Sequence, residues 1–221
     1  MEHLRVKAVN FKTDTLFELV LERGTVKFEP GNCVAIFNLE DESRPYSISS
    51  GMDEEVLRFL IRTVPDGAVS LWLAERQPGD KVQVSDPFGW FRPGQSGPDQ
   101  DSVFIATGTG IAPFLSYIRS SPERLPLACL YGAGRANETF ALDELQACPN
   151  FQLAISRETA DSCFHGRVSG LLETLPLNPG IHFYLCGLDV MIDEVSGWLE
   201  QHGIDYVQIH REVFFYEDES K

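Results

Sequence analysis

The chain has 221 residues, 43% of them hydrophobic, and its formal net charge at pH 7 is −15. This length suits two domains that each bury a core, and the strong acidity argues against nucleic acid as a partner. No apolar run approaches the roughly 20 residues of a membrane helix, and the first residues, Met1–Arg5, lack the apolar core of a signal peptide. We therefore expect a cytoplasmic protein that does not engage a membrane.

The spacing of the cysteines argues against two kinds of site. None of them forms a Cys-x-x-Cys pair; they are Cys33, Cys129, Cys148, Cys163 and Cys186. Zinc and iron–sulfur sites need clustered thiolates, so we expect no metal. An odd number of scattered cysteines also argues against a disulfide framework.

The first part of the chain has the pattern of short strands separated by turn signals such as Glu29-Pro30-Gly31 and Pro65-Asp66-Gly67. The predicted strands are Leu4–Val9, Leu16–Leu21, Cys33–Phe37, Tyr46–Ser49, Val56–Val64 and Lys81–Val84. Six short strands at this spacing predict a six-stranded antiparallel β-barrel. A short helix is predicted over Leu71–Glu75.

Pro93–Asp99 is the predicted linker, and it divides the chain into a domain over residues 1–97 and a second over residues 98–221. Beyond it, strand-like runs alternate with helical stretches, of which Asp189–His202 is the clearest, with Asp189 as its cap and Gly203 at its end. The predicted strands are Val103–Thr107, Leu127–Tyr131, Phe151–Ile155, Phe183–Cys186 and Tyr206–Ile209. This alternation predicts an α/β domain with a doubly wound parallel sheet, which ends in an acidic C-terminal tail.

The tetrapeptide Arg44-Pro45-Tyr46-Ser47 places a cation, a flat ring and a small hydroxyl side by side. An arginine fork can pair with a pyrophosphate oxygen. Tyr46 can lie flat on an isoalloxazine ring, and Ser47 can donate a hydrogen bond near the flavin N5. The segment therefore suits a flavin, and the alternative is an ordinary strand start with a turn proline.

A second candidate is the segment Gly67-Ala68-Val69-Ser70. The backbone N–H groups of a glycine turn, together with the Ser70 hydroxyl, can form an anion-binding concavity that closes on the same pyrophosphate. The alternative is a plain turn in which Gly67 adopts a positive φ.

The segment Gly108-Thr109-Gly110-Ile111-Ala112-Pro113 lies between a predicted strand and a predicted helix. Glycine lets the backbone approach a phosphate or a nicotinamide, the helix N-terminus favours negative charge, and Pro113 suits a first helical turn. The third glycine of the usual dinucleotide fingerprint is missing. The strand–turn–helix context nevertheless matches a dinucleotide site.

Two arginine-bearing segments follow in residues 98–221, which carry a net charge of −11. Ser156-Arg157 comes directly after a predicted strand, and Gly166-Arg167 comes shortly after it. They suit a clamp on the 2′-phosphate of NADP, and the alternative is a pair of surface arginines. The preceding strand, at Leu130-Tyr131-Gly132, ends without the acidic residue that holds the ribose 2′-hydroxyl in many NAD sites, which also favours NADP.

Two segments near the C-terminus complete the set. Cys186-Gly187 would place a thiol beside the nicotinamide, unless Cys186 is only a small buried residue. Glu212-Val213-Phe214 offers a carboxylate for proton relay and a ring for the flavin face opposite Tyr46, a role that Phe215 could also fill. The alternative is a last strand with an apolar face.

In this order, six of these segments, all except Gly166-Arg167, resemble those of the ferredoxin–NADP reductases, over nearly the whole chain. The resemblance implies an N-terminal FAD-binding barrel, a C-terminal NADP-binding domain and an FAD held without a covalent link. The residues that it implies for the flavin and its phosphate and ribose region are Arg44, Tyr46, Ser47, Ile61, Arg62, Thr63 and Ser70. Those that it implies around the nicotinamide are Thr109, Cys186 and Glu212, with Phe214 stacking on the flavin and moving aside for hydride transfer.

The chain departs from the family pattern in two ways. Plant-type members end on the stacking aromatic residue, whereas Phe214 is followed here by Phe215–Lys221. The chain also lacks the cysteine cluster that reductases of oxygenases often carry, so electrons would leave to a separate protein. The predicted function is an FAD-dependent NADPH reductase of ferredoxin or flavodoxin. The alternatives are a reductase of free flavins or of a dedicated oxygenase, and a non-enzymatic docking subunit.

An acidic electron carrier would need a basic patch on this acidic chain. Residues 1–97 hold the cations that could build one, namely Arg5, Lys7, Lys12, Arg58, Arg62, Lys81 and Arg92.

Overall fold

The computed structural model describes residues 1–95, 97 and 100–215, apart from the side chain of Phe215. The predicted acidic tail and part of the predicted linker lie outside these residues. The contacts divide the chain into two compact units, one made of Met1–Arg92 with Ala112–Ser120 and the other of Pro93–Ile111 with Ser121–Lys221. The domain boundary that we place at residue 97 stays a prediction.

The first unit is a six-stranded antiparallel sheet. Its strands are β1 (Glu2–Thr13), β2 (Leu16–Glu22), β3 (Cys33–Phe37), β4 (Ser43–Ser47), β5 (Val56–Arg62) and β6 (Lys81–Val84), in the spatial order β4-β3-β6-β1-β2-β5. A bridge between Ile48 and Phe59 joins the two edges of the sheet, next to a hydrogen bond of 2.8 Å from Ser49 N to Arg58 O. The sheet therefore closes, and the predicted six-stranded barrel is confirmed.

Two helices complete this unit: α1 (Ala68–Ala74) and α2 (Ala112–Ser120). The Ser116 hydroxyl donates to the carbonyl of Ser50 at 2.8 Å, and Arg119 donates to the carbonyl of Ser49 at 2.7 Å. These bonds hold α2 on the barrel, although in sequence it follows the first strand of the second unit.

The second unit is a six-stranded parallel sheet with helices. Its strands are β7 (Ser102–Thr107), β8 (Ala128–Ala133), β9 (Phe151–Ile155), β10 (Phe164–His165), β11 (His182–Leu188) and β12 (Ile209–Phe215), in the order β10-β9-β8-β7-β11-β12. Its helices are α3 (Leu142–Leu145) and α4 (Asp189–Gln201). The predicted doubly wound α/β fold is confirmed. The strand order reverses between β7 and β11, and ligands of such sheets bind at the carboxyl ends of the strands at this point.

Several features of the structure differ from the prediction, and the short helix predicted over Leu71–Glu75 is one of them, since α1 begins at Ala68. The strand predicted over Tyr46–Ser49 is β4, which begins at Ser43 because it pairs with β3 from Ser43 opposite Phe37. The strand predicted over Tyr206–Ile209 was wrong. Tyr206–Gln208 form a 3₁₀ turn that Asp205 caps, and β12 begins only at Ile209.

The other two corrections concern shorter features. Asp189 is the first residue of α4 rather than its cap, a position that Leu188 takes, and its carboxylate accepts from the adjacent Val190 N at 2.8 Å. The two-residue strand β10 was not predicted, because two residues are too few to show the alternation of apolar and polar side chains that identifies a strand. Gly203 does follow the end of α4, with a φ of +84°.

Candidate functional site

The Arg44–Ser47 segment lies within β4, where it forms an antiparallel ladder with β3. Side chains two residues apart in a strand share a face, so Arg44 and Tyr46 project from the same side. Arg44 is exposed, and its guanidinium donates to the carbonyl of Ser43 at 2.7 Å. The structure therefore places the cation next to the ring, as the sequence predicts, but in the body of a strand rather than at its start.

Tyr46 is held as a neutral, partly buried ring. It packs against the barrel core, and this burial raises the pKa of the phenol to about 12, with the positive charge of Arg44 opposing the shift. Ser47, at the end of the strand, is buried. The segment thus offers one exposed cation and one ring with a fixed orientation.

The segment Ile61–Thr63 is less accessible than the resemblance suggests. The Ile61 side chain is 1% exposed in the barrel core, so only its backbone can contact a ligand. Thr63 donates from both its N–H and its hydroxyl to the carbonyl of Thr15, at 2.8 Å and 3.3 Å. Arg62 is half-buried and is the one charged side chain of the three.

The Gly67–Ser70 segment forms the start of α1. Gly67 has a φ of −81°, so the plain turn with a positive φ at this glycine is wrong, and the positive φ of +63° belongs to Asp66. The Ser70 hydroxyl donates to the carbonyl of Gly67 at 3.3 Å and accepts from Val64 N at 3.2 Å. This hydroxyl therefore holds the turn together.

In the second unit, the ends of β7 and β11 approach each other closely. Gly108–Ile111 forms a 3₁₀ turn directly after β7. A Cβ added to Gly110 would lie 2.6 Å from the carbonyl carbon of Cys186 and 2.7 Å from Gly187 Cα. Gly187 has a φ of +142°, and a Cβ there would lie 2.9 Å from Thr107 O. Glycine is therefore required at both positions, for steric reasons that the motif alone did not reveal. We call this close approach of Gly110 and Gly187 the glycine crossing.

Hydrogen bonds fix this crossing. The Thr107 hydroxyl accepts from Leu188 N at 3.0 Å, and the Tyr131 hydroxyl donates to the carbonyl of Gly108 at 3.1 Å. Thr109 is 2% exposed. Pro113 is buried in the first turn of α2, where its missing N–H leaves no gap in the helix.

Cys186 and Glu212 lie side by side, because β11 and β12 pair in a register that sets them opposite each other. Burial raises the pKa of the Glu212 carboxyl. Burial and the charge of Glu212 together raise the pKa of the Cys186 thiol well above its usual range. The thiol is therefore neutral. It is also fully buried, so contact with a nicotinamide would require its neighbours to move.

Phe214 lies at an irregularity in β12. Val213 is opposite Gly187 and Phe215 is opposite Leu188, so Phe214 is an extra residue in the ladder. The choice between Phe214 and Phe215 as the stacking ring stays open, since the side chain of Phe215 lies outside the described residues.

Arg157 and Arg167 follow the carboxyl ends of two neighbouring strands of the parallel sheet. His165 of β10 is opposite Ile155 of β9, and Gly166 N donates to the carbonyl of Ile155 at 2.9 Å, so each arginine lies two residues beyond this last pair. Both arginines are exposed, and within residues 1–95, 97 and 100–215 neither forms an ion pair. Ser156, also exposed, precedes them and bonds to the end of β8.

A third arginine that sequence reasoning missed joins this edge. Arg135 follows the end of β8, and its guanidinium lies 3.7 Å from the Glu158 carboxylate. The same carboxylate accepts from Ala136 N at 2.8 Å. The sequence does contain a signal that could have identified Arg135: it is an arginine two residues beyond the end of a strand, in the more acidic half of the chain.

Among the residues that the structure describes, no three His, Cys, Asp or Glu side chains are grouped to hold a metal ion. In the same part of the chain, no helix combines the length and the apolar character of a membrane span.

Both units match known domain families. Residues 7–92 match the oxidoreductase FAD-binding domain, and residues 104–197 match the oxidoreductase NAD-binding domain. A barrel and a parallel sheet with these sites define a flavin-dependent oxidoreductase that uses a nicotinamide nucleotide. The predicted enzyme class and the predicted pair of cofactors are confirmed at this level.

Two relatives of known identity show which family of flavin-dependent oxidoreductases the chain belongs to. The chain is 30% identical over 215 residues to the flavodoxin/ferredoxin–NADP reductase of Shigella flexneri, with 87% of each chain covered. It is 31% identical to the toluate 1,2-dioxygenase electron transfer component of Pseudomonas putida, which it matches over 85% of its own length and 59% of that protein's length. The chain belongs to the ferredoxin–NADP reductase superfamily, as the sequence motifs predict.

Solved structures share the fold. A ferredoxin NADP⁺ reductase from Neisseria gonorrhoeae, solved with bound FAD and NADP, has a TM-score of 0.84 at 23% identity and covers 97% of this chain and 98% of its own. The FAD/NAD-binding domain of nitric oxide dioxygenase from Vibrio cholerae has a TM-score of 0.83 at 24% identity, over 96% and 98% of the two chains.

Proposed function

We propose that this protein is an FAD-dependent NADPH reductase that exchanges electrons with ferredoxin or flavodoxin. The observation that carries the choice of NADPH is the pair of exposed arginines, Arg157 and Arg167, which follow two neighbouring strands of the parallel sheet and form no ion pair with any residue that the structure describes. They lie in the more acidic part of the sequence, where an unpaired cation suits a bound anion.

The bound FAD would supply the redox chemistry by accepting a hydride from the nicotinamide at N5. In the barrel, Arg44 would hold the FAD pyrophosphate, the neutral Tyr46 ring would support the isoalloxazine, and Ser47 would donate a hydrogen bond near N5. Pro45 keeps this strand extended, because its ring fixes φ. The turn that Gly67 and Ser70 form would close on the same pyrophosphate.

In the second unit, the glycine crossing would receive the nicotinamide end of the dinucleotide. A Cβ on Gly108 would meet nothing within 4 Å, so the bare backbone at Gly108 can be approached by a flat ring, while Gly110 and Gly187 allow the close approach of the two strand ends beside it. Glu212, whose pKa burial raises, would hold a proton close to the reacting atoms. Phe214 would cover the flavin when no nicotinamide is bound.

The choice of NADPH over NADH can be tested on the arginine pair. In Arg157→Ala with Arg167→Ala, we expect the KM for NADPH to rise about a hundredfold, because each lost charged hydrogen bond is worth roughly 1.5–3 kcal/mol. The KM for NADH should change little. The control is Arg211→Ala, an exposed arginine of the same unit that pairs with Glu200 at 3.1 Å. Equal effects on the two nucleotides would refute the assignment to NADP.

Docking of an acidic carrier is supported by an unusual pair on the barrel. Arg5 and Lys81 are exposed and directly opposite each other in the β1–β6 ladder, where like charges are destabilising. Within the described residues neither has an ion-pair partner. By contrast, Lys7, Arg58 and Arg92 of the predicted patch pair with acidic residues.

We expect Arg5→Gln with Lys81→Gln to raise the KM for ferredoxin or flavodoxin about three- to tenfold at low salt, and to weaken its dependence on ionic strength. Reduction of ferricyanide, measured in parallel, should not change. If the parent reaction with both carriers is insensitive to salt, this docking surface is wrong.

A second candidate function is electron supply to a dedicated oxygenase. The similarity to the dioxygenase electron transfer component supports it. Turnover with an oxygenase ferredoxin but with neither a general ferredoxin nor a flavodoxin would favour this candidate. A cytoplasmic location remains a prediction.

A further inference from the structure

A groove of about 690 Å³ opens on the barrel unit, apart from the segments assigned to FAD. We call it the Trp90 groove. Its volume falls within the roughly 300–1,000 Å³ that small-molecule sites occupy. The residues that matter for its chemistry are Lys27, Phe28, Asn32, Phe88, Trp90 and Arg92.

The groove presents aromatic surface to solvent. The side chain of Trp90 is 95% exposed and that of Phe88 is 45% exposed, whereas Phe28 is buried. Exposed aromatic surface beside a concave pocket is typical of a place where a flat ring can stack.

The loop that carries these rings is held by hydrogen bonds. Phe88 and Cys33 exchange both of their backbone hydrogen bonds, each at 2.9 Å. The buried Asn32 side chain donates to the carbonyl of Phe88 at 3.1 Å. A platform held in this way loses little conformational freedom when a ligand binds, which favours affinity.

The groove also carries positive charge. Arg92 pairs with Glu29 at 3.0 Å. Lys27 is exposed, and no ion pair satisfies it within the described part of the chain. One net positive charge on an otherwise acidic protein favours an anionic ligand over a neutral one.

The groove lies close to the strand assigned to the flavin. Cys33 pairs with Ser47 of β4 on one side and with Phe88 on the other. Adjacent strands are about 4.8 Å apart, so the two sites are roughly 10 Å from each other across the ladder.

We propose that the Trp90 groove binds a planar aromatic anion of the size of flavin mononucleotide, in addition to the FAD of the proposed function. The ring of the ligand stacks on Trp90, and its phosphate is drawn to Lys27. Because the proposal concerns binding only, it does not depend on which nucleotide or carrier the enzyme uses.

The test is equilibrium dialysis of FMN against protein saturated with FAD. We expect one FMN to bind per chain without release of FAD. Riboflavin, which has the same ring and no phosphate, should bind several-fold more weakly. AMP, which has a phosphate and a smaller ring system, distinguishes a flavin site from a general nucleotide site, and we expect it to bind at least tenfold more weakly than FMN.

Substitutions at Trp90 and Lys27 test whether FMN binds in the Trp90 groove. Trp90→Ala should weaken FMN binding at least tenfold, since it removes the ring on which the flavin stacks. Trp90→Phe should stay within about threefold of the parent, and Lys27→Gln should lose threefold or more. The control is Leu39→Ala, which changes an 84% exposed apolar residue outside the groove.

Three results would overturn the proposal: FMN that binds only by displacing FAD, FMN that binds Trp90→Ala as well as the parent, and no FMN binding at millimolar concentration. If Trp90→Ala fails to retain FAD, the proposal is tested instead by FMN binding to Trp90→Phe and Lys27→Gln. In each case FAD content and bleaching by NADPH are measured separately, so a failure here is distinguishable from a failure of the proposed function.

Discussion

The two cofactor regions of this protein are built in different ways. In the barrel, the candidate residues largely bond to their own backbone: Ser70 holds the start of α1, Thr63 bonds to Thr15, and Ile61 is part of the core. At the edge of the parallel sheet, the candidate site combines glycine backbone in close contact with exposed arginines that form no ion pair within the described residues. Changes in the barrel should therefore affect stability and FAD retention together, and changes at the sheet edge should affect the nicotinamide nucleotide.

The largest expected effect is that of Gly110→Ala. The added Cβ would lie 2.6 Å from the carbonyl carbon of Cys186, which is backbone and cannot swing away. We expect a loss of about 1–3 kcal/mol in the free energy of unfolding and a fall of at least a hundredfold in the rate of flavin reduction by NADPH, because small displacements at a reacting centre are costly. Stopped-flow absorbance and urea denaturation measure the two effects.

The matched control for this prediction is Gly197→Ala. Gly197 lies within α4, and a Cβ there meets nothing within 4 Å. Alanine should stabilise this helix by about 0.5–1 kcal/mol without changing flavin reduction. A Gly110→Ala protein with the parent's reduction rate would show that the glycine crossing does not receive the nicotinamide.

The barrel side is tested by Ser70→Ala. Without the hydroxyl, the part-buried Val64 N loses its acceptor and the carbonyl of Gly67 loses a donor, and each lost hydrogen bond costs about 0.5–1.5 kcal/mol. We expect lower stability and faster release of FAD, measured by denaturation and by flavin fluorescence after dilution, with no change in NADP⁺ binding.

Ser196→Ala is the control, since the Ser196 hydroxyl is buried in α4 without a hydrogen-bond partner in the described structure. Its loss should be neutral or stabilising. If the Ser70 and Ser196 variants behave alike, the Ser70 hydroxyl does not hold the turn.

The smallest effect is expected from Glu212→Gln, and it depends on pH. Burial raises the pKa of Glu212, so ionisation disfavours the folded state as pH rises above the carboxyl's unfolded pKa. The glutamine variant should therefore be more stable than the parent at pH 8, by a free energy of unfolding on the order of 1 kcal/mol. This advantage should vanish at pH 4, where both forms are neutral. Denaturation at the two pH values measures it, and an advantage of the same size at both would rule out the carboxylate as its cause.

Much of this architecture could be predicted from the sequence. The barrel strands follow from short apolar runs between turn residues, and the parallel sheet follows from the alternation of strands and helices. The strand over 206–209 was predicted wrongly because Tyr206 and Val207 favour strands by residue type, whereas Asp205 caps a 3₁₀ turn there. Local side-chain capping thus prevailed over propensity.

The site could be predicted only in part. The residue types alone identified the glycine turn at Gly108–Pro113 and the pair of Arg157 and Arg167 as candidates. They could not show that Gly110 lies against the backbone of Cys186, because that contact joins residues far apart in sequence. Arg135 was missed although it lies two residues beyond a strand end, and its ion pair with Glu158 could not be predicted, because only the fold brings the two together.

The central claim is that the barrel holds FAD and the sheet delivers NADPH to it. Its most direct test is the visible spectrum of the purified protein, recorded without oxygen before and after addition of NADPH or NADH. We predict a flavin band that NADPH bleaches much faster than NADH. A protein that shows no flavin band even after incubation with FAD, or one that NADH bleaches as fast as NADPH, would contradict this account.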